Sequence, residues 1–140
     1  MIKNFKFDKY IYWAPVLLLS VLNLYLSCLS WQEIRDQFFY VKIIPQSTGF
    51  KLRHIVQFAP LSLFSCFAFI KTTQLKLKKI YLYSFLIVFI EATLSEILQI
   101  FAPNRISAMM DILWSVLGGL IGLFISYFVL KIQRNNRALS

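Results

Sequence analysis

Four long apolar runs alternate with short polar segments along the chain. The runs cover about residues 10–29, 54–70, 80–102 and 112–130. A helix of about 20 residues crosses the roughly 30 Å of a bilayer's hydrocarbon core, and each run is close to that length. The pattern predicts an all-α, polytopic membrane protein in which a single domain, residues 1–140, contains four transmembrane helices.

Composition supports the same class of protein. Hydrophobic residues make up 59% of the chain and aromatic residues 17%, and only 15% are charged, which is far from the mix of a soluble domain. The net charge of +9 is compatible with nucleic-acid binding, but the basic residues lie between and beside the apolar runs. A nucleic-acid surface instead gathers them into one stripe. We therefore expect membrane lipids, and no nucleic acid, as partners.

The distribution of lysine and arginine predicts the orientation. Cytoplasmic loops retain positive charge, and the loop between the second and third runs has four lysines and no acid. With both termini inside, ten of the 15 basic residues lie on the inner side and five on the outer side. We predict that both termini are cytoplasmic and that the turn between the third and fourth runs faces outward.

The connector between the first and second runs, residues 30–53, opens with a helix-start signature. Ser30 and Glu33 have the spacing at which each side chain bonds the free backbone N–H of the other residue. Apolar side chains then recur at helical spacing, which predicts a short interfacial helix on the membrane surface after the first span. A plain re-entry loop is the alternative. Pro45 and Gly49 are expected to break the helix before the second span.

Polar side chains inside the apolar runs indicate contacts between helices. Ser20, Asn23 and Ser27 form a stripe along the first run, which we interpret as an interhelical hydrogen-bonding face. Glu91 lies near the centre of the third run, where an ionisable group is costly and faces the bundle interior. We expect this buried acid to be protonated or hydrogen-bonded to Ser20, Asn23 or Ser95. A structural role is favoured, and a proton relay is the alternative.

A second polar group lies where the third run turns into the fourth. Glu96 and Gln99 share the polar side of the third helix with Glu91, and the turn at Arg105 folds an arginine back toward them. An arginine fork matches a carboxylate or, if left free, a phosphate. Two hypotheses stay open: a ligand site or polar network, and a structural ion-pair clamp in which Glu96, Arg105 and Asp111 close the hairpin.

Small residues follow on one stripe of the fourth helix. Gly118 and Gly122 form a small-xxx-small pair, which lets helix backbones approach closely. We therefore predict a helix-packing surface rather than a chemical site. It comprises Ser115, Gly118, Gly119 and Gly122.

Taken in order, these motifs resemble the VanZ-like membrane proteins. Lys51-Leu52-Arg53-His54 is similar to that family's Lys-x-x-His opening of a span, and Glu96-Ile97-Leu98-Gln99 is similar to its Glu-x-x-Gln. Pro103, Arg105, Asp111, Gly118 and Gly122 follow in the family's order and spacing. The chain departs from the pattern at Phe50, Phe58, Asn104 and Ser115, where the family carries aspartate, tyrosine, glycine and asparagine.

The resemblance implies a multi-pass protein of the bacterial cytoplasmic (inner) membrane that is linked to low-level resistance to the glycopeptide teicoplanin. It adds His54 to the candidate site, as a hydrogen-bond partner or proton carrier beside Glu96. The resulting hypothesis is that the cluster engages a lipid-linked envelope precursor or an amphiphilic glycopeptide at the outer leaflet. Its residues are His54, Glu96, Gln99, Arg105 and Asp111.

Two alternatives remain. The first is a small accessory subunit of a larger membrane protein complex, with the small-residue stripe and the aromatic connector as contact surfaces. The second is an enzyme acting on a lipid headgroup, but the sequence has no nucleophile with a positioned base and no phosphate-loop or metalloprotease signature. One histidine and two carboxylates are a generic set of ligands, so we expect no bound metal and no cofactor.

Overall fold

The structure, a computed structural model, describes residues 7–30, 33, 46–101 and 109–138. All of its regular structure within those ranges is helical. A first helical turn, α1 (Phe7–Tyr10), leads through a 3₁₀ turn (Ile11–Trp13) into the first long helix. The long helices are α2 (Ala14–Cys28), α3 (Gln46–Thr72), α4 (Leu77–Gln99) and α5 (Met109–Ala138).

Four helices in the described part of the chain are long and apolar enough to cross a membrane, as predicted. The qualifying segments are Ile11–Cys28, Lys51–Thr72, Leu77–Gln99 and Met109–Asn136. The exterior of the bundle is apolar: Leu18 is 70% exposed and Phe124 is 63% exposed, whereas Asn23 and Ser84 are buried. This distribution is the reverse of that expected in water, and it suits a lipid solvent.

The second long helix begins earlier than its apolar run. We expected a break at Gly49 and a span from His54, but α3 already begins at Gln46 and contains Gly49 in its first turn. That expectation was wrong because a glycine in a helix costs only about 1 kcal/mol, which packing readily offsets. His54 therefore lies roughly 12 Å along the helix, at 1.5 Å per residue. Pro45 lies outside the described residues.

Consecutive long helices run in opposite directions, and α5 packs on both α3 and α4 while α2 packs on α3 and α4. Near the start of α2, Trp13 Nε1 donates to Thr72 Oγ1 at the end of α3 over 3.3 Å. Near the end of α2, Ser27 Oγ lies 2.6 Å from Ser95 Oγ in the last third of α4. We call the end with the C-termini of α2 and α4 the site end, and the opposite end the tail end.

Glycines bring α5 directly against the backbone of α3. A Cβ on Gly118 would lie 2.7 Å from the carbonyl oxygen of Ile55, and a Cβ on Gly122 would overlap the carbonyl oxygen of Ala59. On the other side of α5, a Cβ on Gly119 would lie 2.7 Å from Cγ1 of Val88 on α4. The absence of side chains here permits the close approach that fixes the register of α3 against α5.

The helix-start signature after α2 makes both of its predicted hydrogen bonds. The backbone N–H of Ser30 donates to Glu33 Oε2 over 2.6 Å, and the backbone N–H of Glu33 donates to Ser30 Oγ over 3.2 Å. Hydrogen bonding of the carboxyl, first to the Ser30 hydroxyl and then to the Ser30 backbone N–H, holds the pKa of Glu33 below its ordinary value of 4.5. The remainder of the predicted interfacial helix, residues 34–45, lies outside the described residues, and the orientation in the membrane stays a prediction.

Candidate functional site

Three helices deliver polar side chains to the site end of the bundle. His54 comes from the third turn of α3, Glu96 and Gln99 from the last turn of α4, and Asp111 and Ser115 from the first two turns of α5. Ser115 and Asp111 precede Gly118 by three and seven residues, so they share its helix face. Because a Cβ on Gly118 would lie only 3.2 Å from the His54 carbonyl oxygen, the glycine contact places that face against His54.

His54 is fully buried, and its hydrogen bonds define its tautomer. Its Nδ1 lies 3.0 Å from Ser115 Oγ, and the Ser115 hydroxyl donates to the Asp111 backbone carbonyl over 2.9 Å. A hydroxyl has one proton to donate, so Ser115 Oγ accepts from Nδ1–H. We therefore assign the proton of neutral His54 to Nδ1, which leaves Nε2 with a lone pair directed at the cluster.

Arg53 is the neighbour of that nitrogen, and sequence reasoning did not include it in the site. Its Nη2 lies 3.3 Å from His54 Nε2, and its Nη1 donates to the Leu26 carbonyl over 3.4 Å. A guanidinium only donates hydrogen bonds, which agrees with an accepting Nε2. In the sequence, Arg53 is an unspecified position of the Lys-x-x-His motif and a topology charge, so no periodic signal identified it.

Glu96 and Gln99 lie one helical turn apart on α4, and their side chains are hydrogen-bonded to each other. Both side chains are buried, at 5% and 2% exposure. Gln99 Nε2 lies 3.0 Å from Glu96 Oε1 and 3.4 Å from Ser95 Oγ, and donates to both. The Glu-x-x-Gln spacing thus fixes the direction of the carboxylate before any ligand is present.

The ionisable side chains of the three helices converge. One oxygen or nitrogen atom each from His54, Glu96 and Asp111 lies within 4.8 Å of the others, and His54 Nε2 is 3.6 Å from Asp111 Oδ2. By distance alone these atoms could hold a divalent cation. The cation that the described residues place beside Nε2 is the Arg53 guanidinium, and a metal would compete with it.

Arg105 and the turn that carries it lie outside the described residues. The segment 102–108 connects α4 to α5. Both of these helices contribute side chains to the cluster. The clamp of Glu96, Arg105 and Asp111 therefore stays open as an alternative to a ligand site.

Two positions that depart from the family pattern contact His54. Ser115, in place of an asparagine, supplies the partner of Nδ1. Phe58, in place of a tyrosine, stacks on the imidazole with ring centroids 6.4 Å apart and an interplanar angle of 14°. Lys51 reaches α5, where its Nζ lies 5.5 Å from the centroid of the Trp114 ring. The side chain of Phe50 is outside the described set.

The buried acid Glu91 is separate from this cluster. Ser20 Oγ donates to its Oε2 over 2.6 Å, and Asn23 Nδ2 donates to its Oε1 over 3.2 Å. Ser95, which we had considered as a third partner, bonds Ser27 instead. Both of these partners donate to Glu91, as its structural role requires, and the proton relay stays open as the alternative.

A directed chain of hydrogen bonds links the cluster to α2. Gln99 Nε2 donates to Ser95 Oγ, and the Ser27 hydroxyl donates to the Asn23 carbonyl over 2.8 Å. Because Ser27 has already used its only proton, Ser95 must be the donor in their 2.6 Å contact. The donor direction therefore runs from Gln99 through Ser95 and Ser27 to Asn23.

The fold and the cluster define a multi-pass helical membrane protein with a buried polar site at one end of its bundle. A family model, VanZ/LLP1, matches residues 6–131, nearly the whole chain, and this protein belongs to that family. The resemblance seen in the motifs is thereby confirmed. No curated protein and no solved structure matches the chain.

Proposed function

We propose that this protein engages the polar headgroup of an amphiphilic envelope molecule at the outer leaflet, and that this engagement gives low-level resistance to teicoplanin. The observation that carries the proposal is the convergence of His54, Glu96 and Asp111 within 4.8 Å. His54 and Glu96 are each held in place by a buried polar neighbour from the same bundle.

Burial of these groups is expensive, which argues that they are retained for a purpose. Ionisable side chains within a membrane span are costly, and they usually face the bundle interior and mark a functional site. Two carboxylates, one imidazole and one guanidinium occupy the site end, where a single ion pair would suffice to close a hairpin. A preorganised cluster of this kind reduces the ordering cost of binding a polar ligand.

The depth of the cluster suits a headgroup. Lys51 begins the apolar part of α3, and His54 lies one helical turn beyond it, roughly 5 Å deeper. A molecule anchored in the leaflet by an acyl or polyprenyl chain holds its headgroup at this level.

The chemistry of the cluster selects the headgroup. The carboxylate oxygens of the cluster accept hydrogen bonds, so they recognise the hydroxyls of a sugar or the N–H groups of a peptide. Arg53 presents a guanidinium, which matches a phosphate or a carboxylate. A lipid-linked envelope precursor and an amphiphilic glycopeptide both combine these groups with an apolar anchor.

The test is expression in a teicoplanin-susceptible bacterium, with the minimum inhibitory concentration as the readout. Glu96→Gln removes a buried ionisable group while keeping its shape, and Arg105→Ala removes the turn arginine. We expect both to abolish resistance while the amount of protein in the membrane stays unchanged. Glu33→Gln is the matched control, because Glu33 is an exposed carboxylate on the segment after α2 that makes its bonds with Ser30. Undiminished resistance in both site variants would reject the proposal.

Binding to purified protein separates direct engagement from an indirect effect. Teicoplanin titrated into protein in detergent micelles should bind with a stoichiometry near one, and Glu96→Gln should weaken that binding. A resistance phenotype that depends on Glu96 without any measurable teicoplanin binding would leave the lipid-linked precursor as the ligand to test. Absence of binding to both would refute the engagement itself.

One of the two contact surfaces expected for an accessory subunit is already covered by this chain's own helices. Its proposed contact surface, the small-residue stripe, is buried inside the chain's own bundle, with Gly118 and Gly122 against α3 and Gly119 against α4. The other proposed surface, the aromatic connector, lies mostly outside the described residues. Copurification of stoichiometric partner chains after gentle detergent extraction is the observation that would restore this alternative.

A further inference from the structure

A cavity lies at the tail end of the bundle, away from the polar cluster. Its volume is about 450 Å³, within the range of small-molecule and cofactor sites. Its walls come from the last turns of α3 and α5, the first turn of α4 and the short loop between α3 and α4. Six of its ten lining residues are apolar, among them Phe67, Ile80 and Leu130.

The polar part of the wall is basic. Lys71 and Arg134 line the cavity together with Thr73 and Gln133, and none of its described lining residues is acidic. The Thr73 hydroxyl already donates to the Phe69 carbonyl over 2.7 Å, so the two cations and the Gln133 amide are the donors facing the space. Apolar walls with a basic rim match a ligand that has an apolar chain and an anionic head.

We propose that this cavity binds an anionic phospholipid. The phosphate would lie between Lys71 and Arg134, and the upper part of an acyl chain would lie along Phe67, Ile80 and Leu130. Basic pockets between transmembrane helices recognise anionic lipid headgroups in this way. The inference is independent of the proposed function, because it uses no residue of the polar cluster.

Two features favour a lipid over a general attraction to charged surfaces. One of the apolar lining residues, Leu77, is 40% exposed on the apolar exterior of the bundle, which is where an acyl chain would enter. A guanidinium also binds phosphate through a planar fork, whereas a lysine supplies a point charge. Other lysines at the tail end, such as Lys78 and Lys79, are exposed and do not line the cavity.

Those lysines provide the matched control for a binding experiment. The purified protein in detergent is titrated with phosphatidylglycerol or phosphatidylcholine of identical chains, and native mass spectrometry measures lipid retention. The double variant Lys71→Gln/Arg134→Gln removes two charges that line the cavity. Lys78→Gln/Lys79→Gln removes two charges outside it. A third variant, Leu130→Trp, fills the cavity without changing any charge.

We expect the wild type to retain one phosphatidylglycerol in preference to phosphatidylcholine. The cavity-charge variant should bind phosphatidylglycerol roughly thirty-fold more weakly, from about 1 kcal/mol for each basic residue. The control should lose less than about three-fold, and Leu130→Trp should also lose the retained lipid. Circular dichroism and thermal unfolding verify that each variant is folded.

Three outcomes would overturn the inference. Equal losses in the two charge variants would indicate a diffuse surface attraction. Equal retention of phosphatidylcholine would indicate an apolar groove without headgroup recognition. Binding of inorganic phosphate as tight as that of the lipid would indicate an anion site that needs no acyl chain.

Discussion

Replacing Gly118 by alanine tests whether the glycine contact sets the geometry of the site. The added Cβ would lie 2.7 Å from the Ile55 carbonyl oxygen and 2.8 Å from the Ile55 Cα. Both atoms are backbone, so no side-chain rotation relieves the overlap. An ordinary contact begins at 3.4 Å, so α3 and α5 must separate by about 0.7 Å if the overlap is relieved by moving the helices apart.

That separation is large enough to break a hydrogen bond of the site. The His54 Nδ1 to Ser115 Oγ distance would rise from 3.0 Å to about 3.7 Å, beyond hydrogen-bonding range. We expect a loss of about 1 to 3 kcal/mol from overpacking and about 1 kcal/mol from the hydrogen bond. If the proposed function holds, resistance to teicoplanin should fall as well, because His54 loses its orienting partner.

The matched control is Gly119→Ala on the same helix. Its Cβ would meet side-chain atoms of Val88 on α4, with Cγ1 at 2.7 Å and Cβ at 3.3 Å, so the overlap strains α5 against α4 and does not push it away from the backbone of α3. Both substitutions gain the same helix propensity, about 1 kcal/mol, so that gain cancels in the comparison. The assay is the free energy of unfolding in mixed micelles, titrated with a denaturing detergent. Losses that agree within about 0.5 kcal/mol for the two variants would refute the reasoning.

Three further predictions follow from other contacts. Glu91→Ala should destabilise the protein by about 2 to 3 kcal/mol in the same unfolding assay, because it removes the acceptor of the buried Asn23 amide and of the half-buried Ser20 hydroxyl; an equal loss in Glu91→Gln would argue against this cause. Alkaline phosphatase fused to the C-terminus should be inactive, since we predict a cytoplasmic tail, and strong activity would reverse the orientation. The bond from the Ser30 amide to the Glu33 carboxylate should be fully present above pH 4.5 and should weaken as the pH falls through the lowered pKa of Glu33. The chemical shift of the Ser30 amide should follow that titration in micelles, and the titration should be absent in Glu33→Gln.

The membrane spans could be read from the sequence because lipid imposes a uniform apolar exterior. The start of α3 could not be read in the same way, because Lys51, Arg53 and His54 interrupt the apolar pattern while the helix continues through them. Each of these side chains makes a specific contact: Lys51 lies over the Trp114 ring, Arg53 contacts the His54 imidazole, and His54 bonds the Ser115 hydroxyl. Such contacts do not recur at helical spacing, so sequence periodicity does not reveal them.

The sequence predicted which polar residues face other helices, but it did not predict which residue each of them contacts. The stripe on α2 indicated an interhelical face, and Ser20 and Asn23 do contact Glu91. The partner of Ser27 depends on how far α2 is displaced along α4, which helical periodicity does not determine. The sequence does not indicate that the hydroxyls of Ser62 and Ser84 are buried, because a serine among apolar residues has the same pattern as a small packing residue.

The serine and asparagine contacts of α2 also limit how it can move. An apolar helix in lipid slides along its neighbour at little cost, since lipid and leucine side chains are equally good surroundings. Ser20, Asn23 and Ser27 contact Glu91 and Ser95 at two levels that share one register, and a shift of α2 along α4 by one turn, about 5.4 Å, would separate every pair at once. The depth of α2 in the membrane is therefore a discrete quantity, fixed by hydrogen bonds rather than by the thickness of the surrounding bilayer.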